Sequence, residues 1–181
     1  PLAQADLVET IRLEGLAYYA RGELAIADRI LNEANRQYPQ ADPVLDTLFY
    51  INFGASSTPG LAPAERRRLW GRASEAIDRQ LQIDPNNVRA LLNKGATAIE
   101  IGDYPKAITA LDQVLQLQPD NPNGLRNRAI ARMKSGQLDE ALKDYEGLRK
   151  LMPDSYVVHY GLAEISYQRK DFPRALESYR I

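Results

Sequence analysis

The sequence predicts an all-α solenoid of stacked antiparallel helix pairs, and three observations predict it. Ala27, Ala73, Ala107, Ala141 and Ala175 recur with steps of 34 residues, except the first step of 46, which is 34 plus an insertion of 12. Pro39, Pro85, Pro119 and Pro153 recur in phase with them. Between these marks apolar residues fall at spacings of three and four, which is one face of a helix. A fixed period in this range means one supersecondary unit repeated along the chain, each unit burying its apolar face against the next.

Aligned on the prolines, the units run over residues 8–41, 42–87, 88–121, 122–155 and 156–181, the last cut short in its second helix. In the first, Gly15 marks the first helix, Gly22 ends it, and Ala27 and Leu31 lie on the second before Pro39. The second unit departs from the pattern. Its first helix is expected over about 43–53, with Phe49 where other units carry Gly or Ala, so this pair is expected to be splayed or shifted. The inserted residues fall in Gly54–Pro63, small, polar and proline-broken, and are expected to form an extended loop. That loop is either a tolerated surface insertion, or a partner contact or an arm covering the groove. The third unit is the most regular. Leu91, Gly95 and Ala98 lie on one helix face, and Gly102-Asp103 closes that helix. Tyr104, Ala107, Ile108, Leu111, Val114 and Leu115 form the second apolar face, and Gln118–Asn121 breaks it at Pro119. The fourth unit repeats this with Ala129, Gly136, Ala141 and Pro153, and the fifth with Ala163 and Ala175.

Small residues at Gly15, Gly95, Ala129 and Ala163, facing the alanine row, are expected to let the paired helices approach closely. Two rows of large residues are expected at the seam between successive units. One is Leu24, Trp70, Tyr104, Leu138 and Phe172; the other is Leu31, Ile77, Leu111, Tyr145 and Tyr179.

The chain has 44% hydrophobic and 26% charged residues and a formal net charge of −1, with no cysteine. This composition is that of a folded globular protein. The charge gives no pull toward nucleic acid, no apolar run reaches the roughly 20 residues of a membrane span, and thiol chemistry is excluded. Ala3-Gln4-Ala5 before Asp6 resembles a signal-peptide cleavage site, and the start at Pro1 reads as a processed or trimmed piece of a longer protein. Cytoplasm and bacterial periplasm both fit. Arginine outnumbers lysine 17 to 6, which suits a bacterial genome composition as readily as a functional demand.

The pattern of Gly15, Gly22, Ala27 and Pro39, of Gly95, Gly102-Asp103-Tyr104, Ala107 and Pro119, and of Gly136, Ala141 and Pro153 resembles the tetratricopeptide repeat family, over about residues 8–181. The resemblance implies a right-handed superhelix of about five repeats. It also implies a concave groove lined by the first helix of each unit, which takes an extended or helical segment of a protein partner. The residues offset from the packing face then become the candidates for the groove: Arg12, Leu16 and Tyr19 in the first unit; Arg89, Asn93 and Glu100 in the third; Asn123, Arg126, Asn127 and Lys134 in the fourth; Tyr160, Gly161, Glu164 and Tyr167 in the fifth. Asn93 and Asn127 are equivalent, and an amide column offers both donor and acceptor to a peptide backbone. Arg89 and Arg126 flank it and suit carboxylates, while Tyr160 and Tyr167 are amphipathic anchors. The carboxylate clamp of chaperone-binding members is not matched. Starting from the third unit its places hold Leu92, Ala96, Asn127, Val157 and Gly161, and only Asn127 fits.

Nothing indicates an enzyme, a cofactor or a metal. There is no glycine-rich phosphate loop and no nucleophile elbow. His159, the one histidine, falls at a half-buried helix position and is expected to be structural. Arg66-Arg67-Arg68 is expected to solvate a helix start or to meet an acidic partner. The functional expectation is a protein-interaction scaffold. Two alternatives stay open: a self-association module using an apolar edge at Leu176, Tyr179 and Ile181, and the substrate-reading arm of an enzyme whose catalytic domain lies outside this chain.

Overall fold

A computed structural model describes residues 3–179. The described residues form ten α-helices and no strand: α1 (Gln4–Ala20), α2 (Leu24–Gln37), α3 (Asp42–Ser56), α4 (Pro63–Ile83), α5 (Val88–Ile101), α6 (Tyr104–Leu117), α7 (Pro122–Lys134), α8 (Leu138–Leu151), α9 (Tyr156–Gln168) and α10 (Phe172–Tyr179). The contacts divide the chain into two units, one up to Ala90 and one from Leu91.

The helices start and stop where the local chemistry dictates. Proline occupies the first turn of α3, α4, α6 and α7, where its missing N–H is no loss. Asp103 and Asn121 cap α6 and α7 by accepting the backbone N–H of Lys106 and Gly124. Gly22, Gly102 and Gly136 close their first helices with φ of 80–82°. The equivalent position in the last repeat is Lys170, which takes φ 62° at a cost of about 1 kcal/mol.

In the first unit α1 packs on α2 and α3, α2 on α3, and α3 on α4. Ala27, Leu31, Ala34, Val44, Leu45, Leu48, Ile51 and Ala76 form the core. The loop expected over Gly54–Pro63 is shorter, Ser57–Ala62, and the ends of that stretch are helical. The place that carries the closing glycine elsewhere is Ser56, and α3 runs on to it. On the far side α4 starts at Pro63, about two turns before Trp70, the residue equivalent to the start of α2. The added residues lengthen α4 at its start and leave Ser57–Ala62 as connection. Phe49 is half-buried beside the core and stacks on Phe53, with ring centroids 5.2 Å apart.

In the second unit α7 packs on α6 and α8, and α9 on α8 and α10. Leu125, Ala129, Ala141, Tyr145, Leu148, Val158, Leu162 and Ile165 form one core cluster, and Ala98, Ala107, Leu111 and Ala131 another.

The small-residue rows do set the closeness of the helices. A Cβ on Gly15 would lie 2.7 Å from Leu31 Cγ, and one on Gly95 would lie 2.7 Å from Leu111 Cγ. Leu31 and Leu111 therefore sit inside their own helix pairs rather than only at a seam between units. The row Leu24, Trp70, Tyr104, Leu138 is half-buried and Phe172 is exposed, so that row borders the core instead of forming it. Within the other row Tyr179 is also exposed.

Candidate functional site

The groove candidates of the first unit are held by intramolecular contacts. Arg12 donates to both carboxylate oxygens of Glu9, at 2.8 and 2.6 Å, and this hydrogen bonding holds the Glu9 carboxyl below its ordinary value. Leu16 packs against the core. Tyr19 meets Tyr50 edge-on, with centroids 5.8 Å apart, and burial raises its phenol. Its hydroxyl lies where a Cβ on Gly54 would be, 2.6 Å away, which explains the glycine there. Arg89 does bind carboxylates, but those of its own chain: Asp42 at 2.7 Å and Asp46 at 3.1 Å. Asp42 also accepts Gln80 Nε2 at 2.7 Å. Burial raises the Asp46 carboxyl, and Arg89 partly offsets that.

The candidates of the second unit face solvent more freely. Asn93 and Asn127 are half-buried; Glu100, Asn123, Arg126 and Lys134 are exposed. Arg126 of α7 and Tyr160 and Glu164 of α9 lie near enough to Tyr145 of α8 to act on its charge. Burial pushes the Tyr145 phenol up, the Arg126 charge draws it back, and Glu164 and Tyr160 add to the rise. Tyr160 lies 5.9 Å from Tyr156 and 6.0 Å from Tyr179, ring to ring, and Tyr167 lies 5.7 Å from Phe172. All five of these rings are exposed, Tyr156 most of all at 76%. The result is an aromatic surface on α9 and α10 bordered by Arg126 and Glu164. Gly161 does not belong to it. It is buried because the Tyr145 ring lies over it, 2.2 Å from where a Cβ would stand.

Two polar clusters escape the sequence reasoning. Arg128 and Arg132 of α7 lie between Asp112 of α6 and Asp144 of α8. Arg128 reaches Asp144 through two nitrogens, at 3.0 and 2.6 Å, and Asp112 at 2.6 Å; Arg132 reaches Asp144 at 2.7 Å. The second cluster joins Asp28 of α2, Asn52 of α3 and Arg72 of α4. Charged residues at helical spacing on an otherwise packed face were the available signal for the first.

The remaining motifs are structural. His159 donates through Nε2 to the Pro153 carbonyl at 2.8 Å. Arg66 donates to the Ser56 carbonyl at 3.1 Å and so caps α3, and Arg68 pairs with Glu65 at 3.1 Å. Leu176 and Tyr179 are exposed, and Ile181 lies outside the described residues. Among the described residues no cluster of His, Cys, Asp or Glu is arranged to hold a metal ion, and no helix is long and apolar enough to cross a membrane.

The fold recurs in solved structures. A double mutant of MamA RS-1 superposes with a TM-score of 0.80 at 21% identity, covering 98% of this chain and 93% of that one. MamA from Desulfovibrio magneticus RS-1 gives 0.77 at 21%, with the same coverage. A tetratricopeptide repeat protein from Parabacteroides merdae gives 0.76 at 17%, covering 94% of this chain and 63% of that one. Curated proteins offer no match by sequence. Family models described as TPR repeat and Tetratricopeptide repeat match residues 98–136 and 126–181. With its glycine, alanine and proline rows set on paired helices and these matches along it, the second half of the chain, residues 98–181, belongs to the tetratricopeptide repeat family.

Proposed function

We propose that the chain is a non-catalytic protein-interaction scaffold whose second unit binds an extended or helical segment of a protein partner across α7 and α9. The observation that carries this reading is the set of exposed rings of Tyr156, Tyr160 and Tyr167 on α9, in ring contact with one another or with α10, with Arg126 and Glu164 near enough to act on the Tyr145 charge. Such a surface offers apolar area at low entropic cost together with fixed charges of both signs, the composition that protein interfaces favour. Asn127 lies on the same helix as Arg126 and supplies an amide for a peptide backbone. The first-unit candidates contribute less, because Arg12 and Arg89 already hold carboxylates of this chain.

The test is selection of peptides from a displayed library against the intact chain, followed by affinity measurement on Arg126→Ala, Asn127→Ala and Tyr160→Ala together. A loss of at least tenfold supports the reading; unchanged affinity in the triple variant refutes it. Self-association is a second reading, favoured by the exposure of Phe172, Leu176 and Tyr179. Sedimentation that does not change with concentration would exclude it.

A further inference from the structure

One repeat position holds a plug in the second unit and a cleft in the first. Over α7, the space between α6 and α8 is filled by Arg128 and Arg132 reaching Asp112 and Asp144. Laying Ala129 on Phe49 puts Arg128 on Leu48 and Arg132 on Asn52. Laying Ala107 on Ala27 and Ala141 on Ala73 puts Asp112 on Asn32 and Asp144 on Ala76. Leu48, Asn52 and Ala76 are shorter than their counterparts and Asn32 has lost its charge, and all four line an open cleft of about 370 Å³ between α2 and α4. The cleft is the plug removed.

Its floor is polar and fixed. Buried Asp28 accepts Asn52 Nδ2 at 3.2 Å and pairs with Arg72. Asn52 is 1% exposed, and its Oδ1 has no hydrogen-bond partner. A buried orphan acceptor in a native structure calls for an occupant or an explanation. The walls carry Arg29, Arg36, Arg72 and Arg79 against Asp28 and Glu75. Arg36 is paired with Glu33 and Arg72 with Asp28, while neither Arg29 nor Arg79 has an ion-pair partner among the described residues.

We infer that this cleft binds an acidic segment of a partner polypeptide, with a carboxylate held by Arg29 and Arg79 and a peptide N–H directed to the floor at Asn52. Guanidinium groups bind carboxylates through paired, geometrically specific hydrogen bonds. A free dicarboxylate satisfies the arginines but brings no donor for the amide oxygen; a peptide brings both. This site lies in the first unit and stands or falls separately from the α7–α9 surface.

The experiment is fluorescence anisotropy of fluorescein-labelled hexaglutamate titrated with the whole chain, with succinate as competitor. Saturable binding is expected, weakening as salt rises. It should fall at least tenfold in Arg29→Gln/Arg79→Gln, two exposed positions off the core, and stay unchanged in the charge-matched control Arg149→Gln/Lys150→Gln. The variant Asn52→Arg/Ala76→Asp rebuilds the plug and should also abolish binding with helix content retained; if it fails to fold, the Arg29/Arg79 arm decides alone. No saturable binding, or equal affinity in Arg29→Gln/Arg79→Gln, overturns the proposal. Displacement of the peptide by succinate at equal concentration overturns the polypeptide assignment in favour of a small dicarboxylate.

Discussion

Truncating Asp144 to alanine should be among the most damaging single changes in the second unit. Asp144 is 3% exposed and accepts three hydrogen bonds, two from Arg128 and one from Arg132. After truncation Arg128 keeps Asp112 at 2.6 Å, but Arg132 is left with Asp112 at 3.9 Å, and its Nε is already buried without a partner. Removing one member of a buried ion cluster costs about 3–5 kcal/mol, since the others stay desolvated and uncompensated. The two arginine side chains are 18% and 17% exposed, so water reaches part of each and the low end applies, about 3 kcal/mol. At about tenfold per 1.4 kcal/mol this is roughly a 100-fold change in a local opening equilibrium. Amide hydrogen exchange in α7 and α8 reads that quantity directly, which matters because repeat arrays need not unfold in one step. Asp139→Ala is the control. Asp139 also pairs with an arginine, Arg169, but is 82% exposed, so its loss should change protection by less than about 0.5 kcal/mol. A cost below about 1 kcal/mol for Asp144→Ala would refute the reasoning, because it would show that the arginines resolvate freely when their partner goes.

Three further outcomes follow from the same structure. Gly161→Ala places a Cβ 2.2 Å from the Tyr145 ring, and overpacking of about 1–3 kcal/mol should exceed the helix-propensity gain of about 1 kcal/mol. Gly71→Ala, inside α4 with nothing within 4 Å, should instead raise the melting temperature. Burial raises the Tyr145 phenol, so its contribution to stability is full below the unfolded value of about 10 and is lost as pH rises through the folded one. Melting temperatures followed from about pH 9 to 12 should therefore fall less steeply in Tyr145→Phe than in the unsubstituted chain.

The repeat was legible because its cause is one-dimensional. Gly95 must be small since Leu111 occupies its side of the helix, and Gly102 suits the positive φ at which the helix closes; both constraints recur in most of the repeats and so accumulate in the letters. What the letters hid depends on which partner a side chain finds across a helix pair. Arg89 reads as a free guanidinium from its spacing, yet Asp42 and Asp46 lie one repeat upstream and within reach. Gly161 reads as an outward position on α9, yet Tyr145 is long enough to cover it, where a leucine in that row covers only the glycine of its own pair. The insertion reads as a loop because of its prolines and small residues. Pro63 is nevertheless tolerated in the first turn of a helix, and Ser56 does not close one as glycine does. The same logic locates function. Positions bound by the period, such as Ala27, Ala73, Ala107 and Ala141, are fully buried and hold the same residue from repeat to repeat. Among the residues that break equivalence are Leu48 and Asn52 against Arg128 and Arg132, and Tyr145 against Leu31 and Leu111. Each break changes its surroundings: the first goes with a cleft walled by arginine, and the second buries a phenol that feels the charges of Arg126 and Glu164. If the repeats share one fold and the chain is the scaffold proposed above, recognition is expected where the repeats differ, and these two breaks are among the places where this chain differs from itself.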